Sequence, residues 1–216
     1  MKRLLALGAL LLAGSISNAE AATITFEDLA VAHGTEVFYG GGTDPISGGF
    51  LFDAASHSHV ANSFWGTDNG STYLVLDDFL GPDATTVSQI GGAPFALTSI
   101  DISEAHGLGF FAARQVQITG NVFGGGTVSR LLDLDNNLVD NVFANYFQTF
   151  VLDADFGNLS SFTLTGMGAL AGQGSNYYAI DNVVVDTAVP EPGTLSLLGL
   201  GSAYLFRRRR RTMAAH

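Results

Sequence analysis

The sequence predicts an all-β protein, an antiparallel β-sandwich of the jelly-roll type flanked by two terminal segments of different composition. Short runs of alternating or β-branched residues recur at intervals of roughly 8 to 20 residues. Glycine-rich turns separate these runs, and 27 of the 216 residues are glycine. The central part, residues 22–188, has no lysine and no sustained 3.6-residue apolar stripe, so helices are disfavoured there.

Nine segments have the composition of strands. Turn-forming residues lie between them, for example at 40–42, 68–70 and 124–126. Strands this short and regularly spaced are typical of a sandwich or jelly roll. In chain order the predicted strands are 23–26, 49–52, 72–76, 95–102, 115–122, 127–134, 148–152, 160–165 and 178–185.

The N-terminal segment, residues 1–21, predicts a signal peptide. Lys2 and Arg3 form a basic start, an apolar run at 4–12 follows, and Ala19-Glu20-Ala21 provides small residues for cleavage. The apolar run is too short to span a bilayer stably. We therefore expect export through the Sec translocon and cleavage by signal peptidase after Ala21 or one residue later.

The C-terminal segment, residues 189–211, predicts a membrane anchor that is later processed. A proline-rich turn precedes a 13-residue apolar stretch at 194–206, which predicts a short helix held transiently in the inner membrane. A basic block follows it and predicts a cytoplasmic stop. The turn consists of Pro190, Glu191 and Pro192, and the block of Arg207, Arg208, Arg209, Arg210 and Arg211.

This tail resembles the PEP-CTERM sorting signal of Gram-negative bacteria. The resemblance covers about 189–211 and rests on the Pro-Glu-Pro turn, the apolar stretch and the arginine cluster. It implies recognition and cleavage by an exosortase, and release to the cell surface or extracellular space. Such tails accompany exopolysaccharide and biofilm systems and occur on unrelated domains, so the resemblance does not identify the activity of residues 22–188.

The central part of the chain is strongly acidic. It contains 18 acidic residues and only Arg114 and Arg130 as bases, a net charge of −16, against −11 for the whole sequence. A field of this sign repels phosphate backbones and argues against nucleic-acid binding. It attracts divalent cations or a basic partner, although acidity also keeps exported domains soluble. The sequence has no cysteine, which excludes disulfides and thiolate chemistry.

The first and last predicted strands resemble those of secreted galactose-binding or carbohydrate-binding-module jelly rolls. The resembling segments are 24–28 and 178–185. In that fold the two strands lie side by side and can hold a structural calcium ion. The resemblance implies Glu27 or Asp28 together with Asp181 as ligands, completed by backbone carbonyls. The alternative is that Asp181 is only a polar residue on a closing strand.

Two groups of side chains are candidates for a binding surface. Trp65 and Tyr177 lie next to glycine-containing loops and are candidates for a sugar platform, although a core position for the tryptophan is the favoured alternative. His57 and His59 share one face of a strand. No nearby third ligand completes a zinc site, so surface histidines are predicted there.

The sequence as a whole predicts an exported, non-enzymatic surface or matrix protein associated with exopolysaccharide. The alternative is a carbohydrate-binding module. An envelope hydrolase is less favoured, because no Gly-x-Ser-x-Gly nucleophile motif is present.

Overall fold

The computed structural model describes residues 19–77, 84–105, 111–135, 143–144, 147–169 and 176–188. Two short 3₁₀ helices, Glu27–Leu29 and Ala154–Phe156, lie among the strands. The strands within the described residues are β1 (Ala19–Ile24), β2 (Thr35–Gly40), β3 (Ile46–Ser47), β4 (Phe50–Ala54), β5 (His57–Asn62), β6 (Thr67–Asp68), β7 (Tyr73–Asp77), β8 (Thr85–Gln89), β9 (Phe95–Glu104), β10 (Gln115–Val122), β11 (Thr127–Asp133), β12 (Phe143–Ala144), β13 (Gln148–Val151), β14 (Leu159–Met167) and β15 (Tyr178–Ala188).

Thirteen of these strands form one sheet. Its path is β2-β5-β7-β15-β9-β14-β8-β4-β3, and each pair along it is antiparallel. β1 pairs with β15, β10 pairs with β11 and β14, and β13 pairs with β9. β6 and β12 form a separate parallel pair. The predicted all-β, antiparallel fold class is therefore confirmed.

The sheet curls so that strands far apart along its path share one core. Phe52 on β4 and Val60 on β5 belong to the same buried cluster, although five strands separate them in the sheet. Aromatic contacts close the core, with ring centroids 5.1 Å apart for Phe26 and Phe52 and 5.0 Å apart for Phe50 and Phe95. Burial of this apolar surface is the main favourable term in folding a domain without disulfides.

Alternation along each strand determines which face is buried. On β10, Val116 and Ile118 are fully buried, whereas Gln115 and Gln117 on the opposite face are partly exposed. Gln117 donates to Ser129 Oγ of β11 at 2.7 Å. The period of two that predicted the strands thus places apolar side chains inside and polar side chains outside.

A second, smaller apolar cluster lies on the opposite face of β5, β7 and β15. His59, Val75 and Ala179 are cross-strand neighbours there, because His59 pairs with Val75 and Val75 with Ala179. Trp65 packs against this cluster from the chain between β5 and β6. This cluster supports the aromatic site described below.

All nine segments predicted from the sequence are strands, with ends shifted by up to four residues. The first ends at Ile24 rather than Phe26, because Phe26 adopts φ 58° and leads into the 3₁₀ helix. The expected contact between first and last strands is confirmed by the β1–β15 pairing. Strands β2, β3, β5, β6, β8 and β12 were not among the nine.

Residues Glu20–Thr187 form one compact unit. No helix in the described ranges is long and apolar enough to cross a membrane. The predicted anchor helix, the sorting turn and the basic block lie outside those ranges, as does the signal peptide up to residue 18. The predicted boundaries 1–21, 22–188 and 189–211 stay predictions.

Candidate functional site

The loop that carries Trp65 is fixed by a buried tyrosine. The hydroxyl of Tyr73 accepts from the backbone N–H of Phe64 at 3.1 Å and donates to the carbonyl of Thr67 at 2.7 Å. Burial raises the pKa of Tyr73 to about 12, so the hydroxyl keeps its proton for this bond. Ser63 and Gly66 have φ of 51° and 73°, which turns the chain on either side of the indole.

Trp65 and Tyr177, the two residues predicted to form a platform, are in contact. Their rings stack with centroids 5.5 Å apart and an interplanar angle of 19°. Tyr177 is only 5% exposed, and Trp65 is partly buried. Tyr177 therefore supports the indole from beneath. Sugar binding by this pair stays a prediction.

Glu36 and His59 hold the edge of the indole. Trp65 Nε1 donates to Glu36 Oε2 at 2.5 Å, and the same oxygen lies 2.8 Å from His59 Nδ1. The His59 and Trp65 rings meet edge to face with centroids 4.7 Å apart. The expectation of surface histidines is wrong for His59, which is 7% exposed because Trp65 and neighbouring strands cover it.

Phe38, which was not among the predicted site residues, extends this aromatic cluster to the protein surface. Its ring lies 5.3 Å from the rings of both His57 and His59 and is 61% exposed. Phe38 pairs with His59 across β2 and β5. The apolar run of residues 37–39 before a glycine triplet was the available signal, but phenylalanine is more often assigned to a core.

The three predicted calcium ligands lie at the seam of the domain, which is formed by β1, the 3₁₀ helix after it and β15. All three accept hydrogen bonds. Glu27 Oε1 accepts from the backbone N–H of Thr72 at 2.7 Å. Asp28 accepts from Ser47 Oγ at 2.5 Å and from the backbone N–H of Gly48 at 3.0 Å. Each carboxylate therefore ties the 3₁₀ helix after β1 to another part of the fold.

Asp181 is the most buried of these carboxylates, at 1% exposure. Its oxygens accept from Asn69 Nδ2 at 2.7 Å, Ser71 Oγ at 2.8 Å and the backbone N–H of Asn182 at 2.7 Å. Burial raises the pKa of Asp181, and the nearby charge of Asp101 adds to this effect. The three hydrogen bonds act in the opposite direction without cancelling it.

Glu27 and Asp181 bind adjacent residues of one loop, since Thr72 donates to the first and Ser71 to the second. Within the described ranges, no three histidine or acidic side chains are grouped so that they could hold a metal ion. A calcium ion here would need amide, hydroxyl or backbone oxygens as further ligands. Calcium binding by Glu27, Asp28 and Asp181 stays a prediction.

The C-terminal tail carries a known motif. Residues 188–211 match the PEP-CTERM protein-sorting motif. The match contains the whole turn from Pro190 to Pro192 and the arginine block, as the sequence predicted. A PEP-CTERM motif marks a protein for export and implies processing by an exosortase. It covers 24 of the 216 residues and does not describe the β-domain.

No curated protein matches the chain in sequence. Among solved structures, the chain is similar to CBM32-3 from a family 31 glycoside hydrolase from Clostridium perfringens, at 15% identity and a TM-score of 0.37, over 54% of this chain and 75% of that one. It is also similar to the K2 cleaved adhesin domain of Lys-gingipain, at 13% identity and a TM-score of 0.38, over 78% of this chain and 99% of that one. Likenesses this distant carry no argument about function.

Proposed function

We propose that this chain is an exosortase-sorted protein of a Gram-negative cell surface or extracellular matrix that acts by interaction rather than by catalysis. The observation that carries the proposal is the PEP-CTERM match at residues 188–211. The signal-peptide pattern at 1–21 supports it, because the two signals together describe export, transient anchoring in the inner membrane and release.

The proposed setting is exopolysaccharide or biofilm matrix. The tail of this chain resembles PEP-CTERM tails, and such tails accompany exopolysaccharide systems. A non-enzymatic role is supported by the uses of the polar groups at the seam: Glu27, Asp28 and Asp181 all accept bonds from neighbouring segments of the fold. Groups engaged in this way stabilise a scaffold. An envelope hydrolase would instead lose a measurable activity on single acid-to-amide changes.

The test is localisation in paired strains with and without the exosortase. We expect the protein in the outer-surface or medium fraction of the first strain and in the inner-membrane fraction of the second. A variant with Pro190, Glu191 and Pro192 all changed to alanine should behave in the first strain as the parent does in the second. Release of the alanine variant at the parental rate would contradict the proposal.

A carbohydrate-binding module is the second candidate function. The observation that favours it is the aromatic cluster in which Trp65 stacks on Tyr177 and Phe38 reaches the surface. Aromatic rings with neighbouring polar groups are typical of ligand sites. Binding of the purified protein to a glycan array tests this candidate independently of sorting.

A further inference from the structure

Phe38 presents an aromatic ring on the outside of β2. Within the described residues, β2 ends the path of the large sheet and pairs only with β5. The ring is 61% exposed, more than its neighbour Val37 at 45% on the opposite face of the strand. A single exposed apolar side chain needs no explanation by itself, so its surroundings decide its meaning.

The ring packs against three neighbours on its own and the adjacent strand. It lies over Gly40, where a Cβ atom would stand 2.7 Å from Phe38 Cζ and 2.8 Å from Cε1. His57 and His59 pack against it at interplanar angles of 41° and 72°. A ring packed in this way loses less conformational freedom when a ligand stacks on it than a ring without neighbours would, which favours binding.

A fixed carboxylate lies on the same face of the strand. Glu36 is two residues from Phe38, and its Oε2 is held by Trp65 Nε1 and His59 Nδ1. Residues 22–188 carry a net charge of −16 and no lysine. This charge repels an acidic polysaccharide and attracts a cationic one.

We infer that this surface, the Phe38 platform of Glu36, Phe38, Gly40, His57 and His59, binds a polysaccharide whose sugar residues carry free amino groups. The inference rests on the proposed function in taking a matrix polysaccharide as the partner. The C–H face of a sugar stacks on the Phe38 ring, and its ammonium group is attracted both to the ring and to the carboxylate of Glu36. Repeated weak contacts along a polymer add up through multivalency.

The experiment uses the full-length chain purified in detergent, so that binding is measured whether or not the tail is processed. The chain is titrated with β-1,4-linked glucosamine oligomers and with fully N-acetylated oligomers of the same length. We expect binding of the first, weakened by added sodium chloride, and little binding of the second. Phe38→Ala should weaken binding about tenfold, and Val37→Ala should leave it unchanged.

Two further variants separate the role of the ring from that of the charge. In Gly40→Ala the new methyl group displaces the Phe38 ring, whose far end can move, so binding should fall while the melting temperature changes little. Glu36→Gln should weaken binding of the glucosamine oligomer. Its matched control is Asp155→Asn, which removes the same charge from an exposed residue of the second 3₁₀ helix and should have no effect.

Four results would overturn the inference. Equal binding of the acetylated oligomers would show that the amino groups are not recognised. Equal loss of binding in the Asp155 and Glu36 variants would show that net charge alone attracts the oligomer. Unchanged binding in the Phe38 and Gly40 variants would show the same. Equally tight binding of poly-lysine with the same dependence on Phe38 would assign the platform to a basic polypeptide. These binding results are measured on the purified protein, so they remain valid even if the proposed sorting by an exosortase fails.

Discussion

At the scale of single residues, Asp181 is a carboxylate kept inside the domain mainly by uncharged donors. Its bonds to Asn69, Ser71 and Asn182 join the loop before β7 to the last strand. Asn182 adopts φ 45° beside a register shift in β15, and its side chain reaches Asp101 at 2.9 Å. The residue is therefore a structural junction with an ionisable centre.

The pKa of Asp181 predicts a pH dependence of stability. Because burial raises this pKa above the ordinary aspartate value of 3.8, the folded state binds the proton more tightly than the unfolded state does. The resulting contribution to stability is complete below about pH 3.8 and is lost as the pH rises through the folded-state value. In EDTA, the unfolding free energy of the parent minus that of Asp181→Asn should fall as the pH rises above about 3.8, and then level off. Urea titrations of both proteins at several pH values measure this difference in unfolding free energy. A difference that grows with pH would refute this assignment.

Gly166 predicts a steric effect on stability. A Cβ atom at this position of β14 would lie 2.5 Å from the carbonyl oxygen of Asn176, which is backbone and cannot rotate away. At Gly120 on β10 the close contacts are side-chain atoms of Leu159 and Val128. Gly166→Ala should therefore destabilise the domain by about 1–3 kcal/mol, and by more than Gly120→Ala. Thermal melts of the two variants compare them, and the reverse order would contradict the described packing of β14.

At the scale of secondary-structure elements, the predictability of a strand depends on what covers its two faces. β10 and β14 alternate apolar and polar residues because one face meets the core and the other is accessible, so their pattern is evident in the sequence. β2 was missed because none of its residues is buried, so neither of its faces shows an apolar pattern. β5 was recognised only at His57 and His59, because its buried residues from Ser58 to Ala61 lie on both faces. β8 was missed because only Thr85 and Val87 of its five residues are buried.

The aromatic site was predicted only in part, because two of its residues lie on a strand that was not predicted. Trp65 and Tyr177 were singled out by their places next to glycine loops, and the structure stacks them. Phe38 and Glu36 lie on a strand that the sequence did not reveal. Their relation to His59 depends on the β2–β5 register, which is a long-range property of the fold.

The seam formed by β1, its 3₁₀ helix and β15 predicts calcium-dependent stability. Glu27 and Asp181 contact neighbouring loop residues, and Thr72 Oγ1 is buried without a hydrogen-bond partner among the described residues. An ion bound only by the folded state adds about 2.7 kcal/mol at a hundredfold excess over Kd. At roughly 2–4 °C per kcal/mol, calcium should raise the melting temperature by about 5–10 °C over EDTA.

Asp181→Asn should abolish the calcium-specific part of this effect, whereas Asp155→Asn should retain it. Magnesium and sodium at matched ionic strength measure the screening of the acidic surface, which all variants share. If EDTA leaves the melting temperature of the parent unchanged, or if the Asp181 variant responds to calcium as the parent does, these residues do not bind the ion.

At the scale of the whole molecule, the two ends and the middle of the chain differ in charge. Seven of the nine basic residues lie in segments 1–21 and 189–211, and the central part has two arginines and 18 acids. Removal of both ends would change the net charge from −11 to −16. If both ends are removed as proposed, the remaining domain is strongly acidic.

This separation predicts how residues 22–188 behave when expressed alone. The strands of one compact unit, Glu20–Thr187, supply the buried core, so the fragment should be soluble and its far-ultraviolet circular dichroism should be predominantly β. A spectrum dominated by helix would refute the fold. With no cysteine in the chain, a reducing agent should leave the melting temperature unchanged.

Because the fragment has 18 acidic residues and only two arginines, electrostatic repulsion opposes the compact state. In EDTA, sodium chloride should therefore raise the melting temperature steadily up to about 0.5 M, by screening this repulsion. A melting temperature that falls with salt would mean that attractive charge pairs outweigh the excess of acids, and the acidic surface would then not be available to a cationic partner.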